Sequence, residues 1–121
     1  MKTEKISVNL NPVELGQIDF LVAKGLFDSR SDFMRMAARK QLEKYPICDD
    51  FTVGVVQFPK SEIDRLLKEG KKARLRVVGI LAVGTSVTAD DIRATVENCI
   101  VHGKIVADAE VKAVLKQLQE N

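Results

Sequence analysis

Residues 5–11 read KISVNLN, in which Ile6, Val8 and Leu10 alternate with Lys5, Ser7 and Asn9, the two-residue period of a strand with one apolar and one wet face. No second strand lies within hairpin distance, because Asn11-Pro12 follows at once and pairs a good N-cap residue with proline at the first helical position. A lone strand bares a full row of backbone donors and acceptors, which proteins pair, shorten or cover. Helix A is expected over 12–24, with Leu15, Ile18, Leu21 and Val22 on one face and Gly25 as its left-handed stop. In LFDSRSDF, Ser29 stands three residues before Asp32, a capping-box-like start for helix B, expected over 30–44 with Phe33, Met34, Ala37, Ala38, Leu42 and Tyr45 in a wide apolar stripe. Pro46 ends the unit. One strand and two helices in about 45 residues seldom hold a self-sufficient core. The strand is therefore expected to pair with its own copy in a second chain, antiparallel across a two-fold axis.

The whole chain has 121 residues, 45% apolar and 30% charged, an ordinary folded composition that argues against disorder and leaves room for one domain or two small ones. No apolar run is long enough to span a bilayer, and the start MKTEKISVNL lacks the apolar core of a signal peptide, so a cytoplasmic location without membrane contact is expected. Cys48 and Cys99 are 51 residues apart with no secretion signal, which favours free thiols over a disulfide. A net charge of +2 does not by itself imply nucleic acid, and what excess there is sits up front: eight Lys or Arg against six Asp or Glu through Pro46, eleven against eleven thereafter.

From Phe51 the pattern changes. FTVGVVQF at 51–58 reads as a strand, Pro59 opens a helix to about Glu69, and RLRVVGILAVG at 74–84 suits a central strand buried on both faces. Thr88 caps a helix expected over 89–98, CIVHGKIVA at 99–107 makes a third strand, and Asp108 caps a last helix to about 119. The expected fold class is α+β: an N-terminal domain over 1–46 and a small C-terminal α/β domain over 51–121 in the order βαβαβα. No internal repeat or low-complexity tract stands out. Glycines 54, 79, 84 and 103 interrupt strand-like runs, as bulges, sharp twists or close backbone approaches do, and none completes a phosphate-binding loop.

The first 45 residues resemble the ribbon-helix-helix DNA-binding family of the CopG, Arc and MetJ repressors. The resemblance rests on KISVNLN, the Asn-Pro helix start, the Ile18-Asp19 pair and GLFDSRSDFMRMAARKQL at 25–42, with its G-h-x-x-S-R-S-[DE]-h-h-R pattern. It implies an obligate intertwined dimer whose two N-terminal strands form one antiparallel ribbon in the DNA major groove, a docking in which Arc and MetJ are the reference cases.

Residue chemistry agrees with that expectation. With Ile6, Val8 and Leu10 turned to a dimer core, Lys5, Ser7 and Asn9 form the outer face, suited to read base edges: lysine on guanine acceptors, asparagine on adenine, serine as donor or acceptor. The start of helix B, with free N–H groups at Ser29, Arg30 and Ser31, two hydroxyls and the Arg30 charge, makes a seat for a backbone phosphate. Lys2 is a further flexible cation. Arg35, Arg39, Lys40 and Lys44 read as a solvated face.

The nickel-responsive members of such families use several histidine and cysteine ligands. This chain has one histidine, His102, three residues after Cys99 and on the opposite strand face, so neither a metal nor any other cofactor is expected. KEGKKARLR at 68–76 reads as a solvated turn, with a phosphate clamp as the alternative. Asp90 and Asp91 sit where acids favour a helix N-terminus and lack a nearby base, so no enzymatic activity is expected. The reading is a DNA-binding transcriptional regulator, a repressor, with double-stranded DNA and a second copy as partners. The C-terminal domain is expected to carry assembly to a tetramer or to hold an unknown effector. An autoregulating antitoxin with a toxin-binding C-terminal half is the alternative.

Overall fold

A computed structural model describes residues 3–47 and 50–120; Lys2 and Cys48 lie outside the described residues. The chain divides into two compact units, Met1–Pro46 and Ile47–Asn121.

The first unit is a pair of helices. α1 spans Pro12–Ala23; the Asn11 side chain accepts the Glu14 N–H at 2.8 Å, and Pro12 occupies the first turn, where a missing N–H costs nothing. It stops where Gly25 takes φ 81°, with the Leu26 N–H reaching back to the Leu21 carbonyl. α2 spans Arg30–Glu43. Ser29 accepts the Asp32 N–H at 3.0 Å, while the Asp32 carboxylate takes the N–H of Asp28, so the reciprocal bond falls one residue before the cap. Phe27 packs edge-to-face on Phe33 at 4.9 Å. Among the described residues of this unit only Ile18 is buried, and Leu15, Leu21, Val22, Phe33 and Met34 are half-covered. Ala37, Ala38, Leu42 and Tyr45, expected in the apolar stripe of α2, lie open. Residues 3–11 have no strand partner within the single chain.

The second unit has its own core. Three strands, β1 (Thr52–Phe58), β2 (Ala73–Val83) and β3 (Val96–Val106), form a parallel sheet in the order β1-β2-β3. Between and after them run α3 (Lys60–Glu69), α4 (Ala89–Thr95) and α5 (Ala109–Glu120). α3 and α4 pack against each other and so share one face of the sheet, and α5 packs against β3 and α4 on that same side. Leu75, Val77, Leu81 and Val83 of β2 point into the helices and are buried, joined by Ile63, Ile92, Cys99, Val101, Val111 and Leu115. Val78, Ile80 and Ala82 face the other way and stay half-exposed. β2 is thus central in the sheet but covered by this unit on one face only, which corrects the reading of 74–84 as buried on both.

Two further corrections concern the second unit. α4 ends at Thr95, not at residue 98: Val96 turns extended (φ −108°, ψ 118°) and is buried on the sheet, where its β-branched side chain packs better than on a last helical turn. The unit is also a repeat. Gly54, Gly79 and Gly103 pair in register across all three strands, 25 and 24 residues apart, with φ of 125°, 135° and 136°. A Cβ on Gly79 would stand 2.2 Å from the Gly54 carbonyl oxygen, and one on Gly103 1.9 Å from that of Gly79. The glycines are one crease crossing three successive βα units, and only glycine fits it.

Candidate nucleic-acid interface

Lys5, Ser7 and Asn9 are all exposed, and so are the intervening Ile6 and Val8, at 82% and 53%. In a single chain both faces of this segment are bare. The apolar exposure continues over the rest of the unit with Val13, Phe20, Leu26, Met36, Leu42 and Tyr45. Val13, Gly16, Gln17, Phe20 and Leu21 also line a shallow groove of about 480 Å³ along α1. So many large apolar side chains left bare in so small a unit suit a surface that something else buries.

At the head of α2 the three predicted phosphate-side residues are differently employed. The Ser29 hydroxyl oxygen accepts the Asp32 N–H, which leaves its O–H still able to donate. Ser31 is exposed, and the helix geometry leaves the Arg30 and Ser31 N–H groups without intrahelical partners. Arg30 is clamped: its Nε and Nη2 donate to the two carboxylate oxygens of Asp19 on α1 at 2.7 and 2.8 Å. That hydrogen-bonded pairing holds the Asp19 carboxyl below its ordinary range and raises the Arg30 guanidinium. Nη1 keeps its donors available, so the clamp orients the guanidinium without consuming it. Sequence reasoning noticed Asp19 as part of a motif but not this pairing.

Elsewhere the charges settle into local pairs. Lys60 of α3 meets Asp91 of α4 at 2.7 Å, and Asp91 also closes a capping box with Thr88. In the 68–76 stretch, Gly70 ends α3 in the left-handed conformation, Lys71 lies 3.8 Å from Glu69, and Arg76 stacks over the Phe51 ring. Cys99 is buried, and burial pushes its thiol up to about 11; His102 is exposed beside Phe51, on the other face of β3. Among the described residues no three potential metal ligands gather.

The first unit thus combines a front segment of alternating character, two capped helices joined by an Arg–Asp fork and many exposed apolar side chains. Residues 1–112 match the ribbon-helix-helix transcriptional regulator family, and the chain belongs to it. The match extends through most of the second unit, well past the 45 residues that carry the sequence resemblance. Members of such a family bind DNA, typically as dimers, and regulate transcription rather than catalyse reactions. No curated protein and no solved structure matches the chain. Among the described residues no helix is long and apolar enough to cross a membrane.

Proposed function

We propose that the protein is a sequence-specific repressor of the cytoplasm that binds DNA as an intertwined dimer. Two copies of residues 5–11 pair antiparallel, bury Ile6, Val8 and Leu10 against α1 and α2, and turn Lys5, Ser7 and Asn9 to base edges in the major groove. Ser31, the α2 N-terminus and the Asp19-oriented Arg30 hold the DNA backbone on either side, with Ser29 contributing through its N–H. The observation that carries this reading is that Ile18 is the single buried side chain among the described residues of the first unit, set against exposed Ile6, Val8, Phe20, Leu42 and Tyr45. A unit so built is stable only when a like surface covers it. The toxin-binding alternative is less well supported, because the second unit has a hydrophobic core of its own, unlike segments that order only on binding a partner. A role for that unit in an assembly beyond the dimer, or in holding an effector, belongs to the same proposal.

The test uses an operator selected from random DNA. Asn9→Ala should narrow the affinity gap between operator and random sequence by about 1–3 kcal/mol per lost base contact while the dimer persists. Equal weakening on both DNAs would remove Asn9 from base reading.

A further inference from the structure

The second unit is a short stack, and among its described residues no further strand pairs with either edge. β1 and β3 are edge strands, with one polar side chain standing over the β3 edge: Gln119 Oε1 accepts the Val101 N–H at a long 3.4 Å. Beside that edge an open groove of about 450 Å³ runs between β3 and α5, lined by Val101, Gly103, Ile105, Lys112 and Lys116 among others. Open edges invite another strand, and proteins that stay single usually blunt them.

Helix periodicity assigns a charge to each end. On α3, Ile63 and Leu66 are buried and Lys60 reaches α4, which leaves Glu62 and Glu69 on the flank turned away from the stack, with Arg65 bonded to both. On α5, Val111 and Leu115 are buried, and Lys112 and Lys116 occupy the flank away from α4. One end of the stack therefore shows two glutamates around one arginine and the other shows two lysines.

The crease fixes what can dock. The translation that carries Gly54 onto Gly79 and Gly79 onto Gly103 requires glycine again opposite Gly103. Gly54 meets that demand on the opposite end: it shares the positive φ, and nothing lies within 4 Å of the place its Cβ would take. We propose that second units associate head to tail, β1 of one chain adding in parallel to the β3 edge of another with Gly54 opposite Gly103. Glu62 and Glu69 of one α3 then lie against Lys112 and Lys116 of the neighbouring α5. Gln119 swings aside, and its acceptor role passes to the incoming strand. A heterologous contact of this kind leads to a ring or an open row of chains.

The experiment follows the solution mass of the full chain from nanomolar to high micromolar concentration. The wild-type mass should grow beyond the baseline reached at low concentration. Lys112→Glu/Lys116→Glu and Glu62→Lys/Glu69→Lys should each stop at that baseline, shifting the growth midpoint upward by roughly tenfold or more. Mixed in equal amounts the two variants should grow again, since each now offers the other an opposite charge at both ends. Circular dichroism matching the wild type excludes misfolding as the cause. A wild-type mass that stays constant, growth in either variant alone at the wild-type midpoint, or a mixture that does not recover would each overturn the proposal. A baseline of one chain would contradict the ribbon dimer but leave this contact readable.

Discussion

Arg30 joins the two helices of the first unit and, in the proposed complex, also holds the DNA backbone. Its guanidinium and the Asp19 carboxylate are both well exposed, at 60% and 47%, so solvent screens the pair and it adds little to the stability of the fold. Its larger use is orientation of a cation beside the α2 N-terminus. Arg30→Ala should therefore leave the operator preference intact and reduce the slope of log affinity against log salt by about one. An unchanged slope, measured by titrating operator DNA at several salt concentrations, would reduce Arg30 to a strut between helices. Carboxylates make a second residue-scale expectation. Asp19, Glu62 and Asp91 are each held below the ordinary carboxylate range by hydrogen bonds from Arg30, Arg65 and Lys60 respectively. A depressed folded-state value means that the stabilisation is present above the unfolded value, near pH 4, and is lost as pH falls through the folded one. Urea midpoints of the wild type should drop on acidification below about pH 4, and Asp91→Asn should flatten part of that fall for the second unit.

Among the elements, the sheet makes the sharpest demand on sequence, and its glycines are not equivalent. Gly79→Ala and Gly103→Ala would each drive a methyl into a neighbouring strand's carbonyl and add a backbone conformation that L side chains avoid. Each should cost roughly 3–5 kcal/mol, at the upper end of single substitutions. Within one chain Gly54→Ala meets open space, so at concentrations below those of the proposed head-to-tail contact it carries the backbone strain alone, about 1–3 kcal/mol. Chemical denaturation of the three variants should return that order, and a Gly54 variant as damaged as the other two would contradict the crease. Thr88 offers a milder contrast. Its hydroxyl accepts the Asp91 N–H and its own N–H goes to the Asp91 carboxylate, so Thr88→Ala loses half of a capping box and should cost about 0.5–2 kcal/mol.

Across the whole molecule, the legible parts were those written in local chemistry. Asn11-Pro12, Gly25 and Ser29 mark α1 and α2 to within a residue, because a cap needs only its next few neighbours. The Asp19–Arg30 fork was not legible, since residues eleven apart meet only after the chain has turned between two helices. The repeat escaped for a related reason: the residues flanking its glycines differ (Val53 and Val55, Val78 and Ile80, His102 and Lys104), and only pairing of the strands shows that they occupy one row. The candidate base-reading face rests on alternation alone, for residues 3–11 pair with no strand of their own chain. That inequality between the halves is itself measurable. Among the described residues the first unit buries one side chain and the second has a full core, so an acid on the apolar face of the proposed ribbon should unfold the one and spare the other. Val8→Asp should lose the helical signal of α1 and α2, lose operator and random DNA binding together, and retain a cooperative unfolding transition from the second unit. Retention of both helices and of a dimer in that variant would mean that Val8 lies outside the shared core, and with it the alternation on which the ribbon is built.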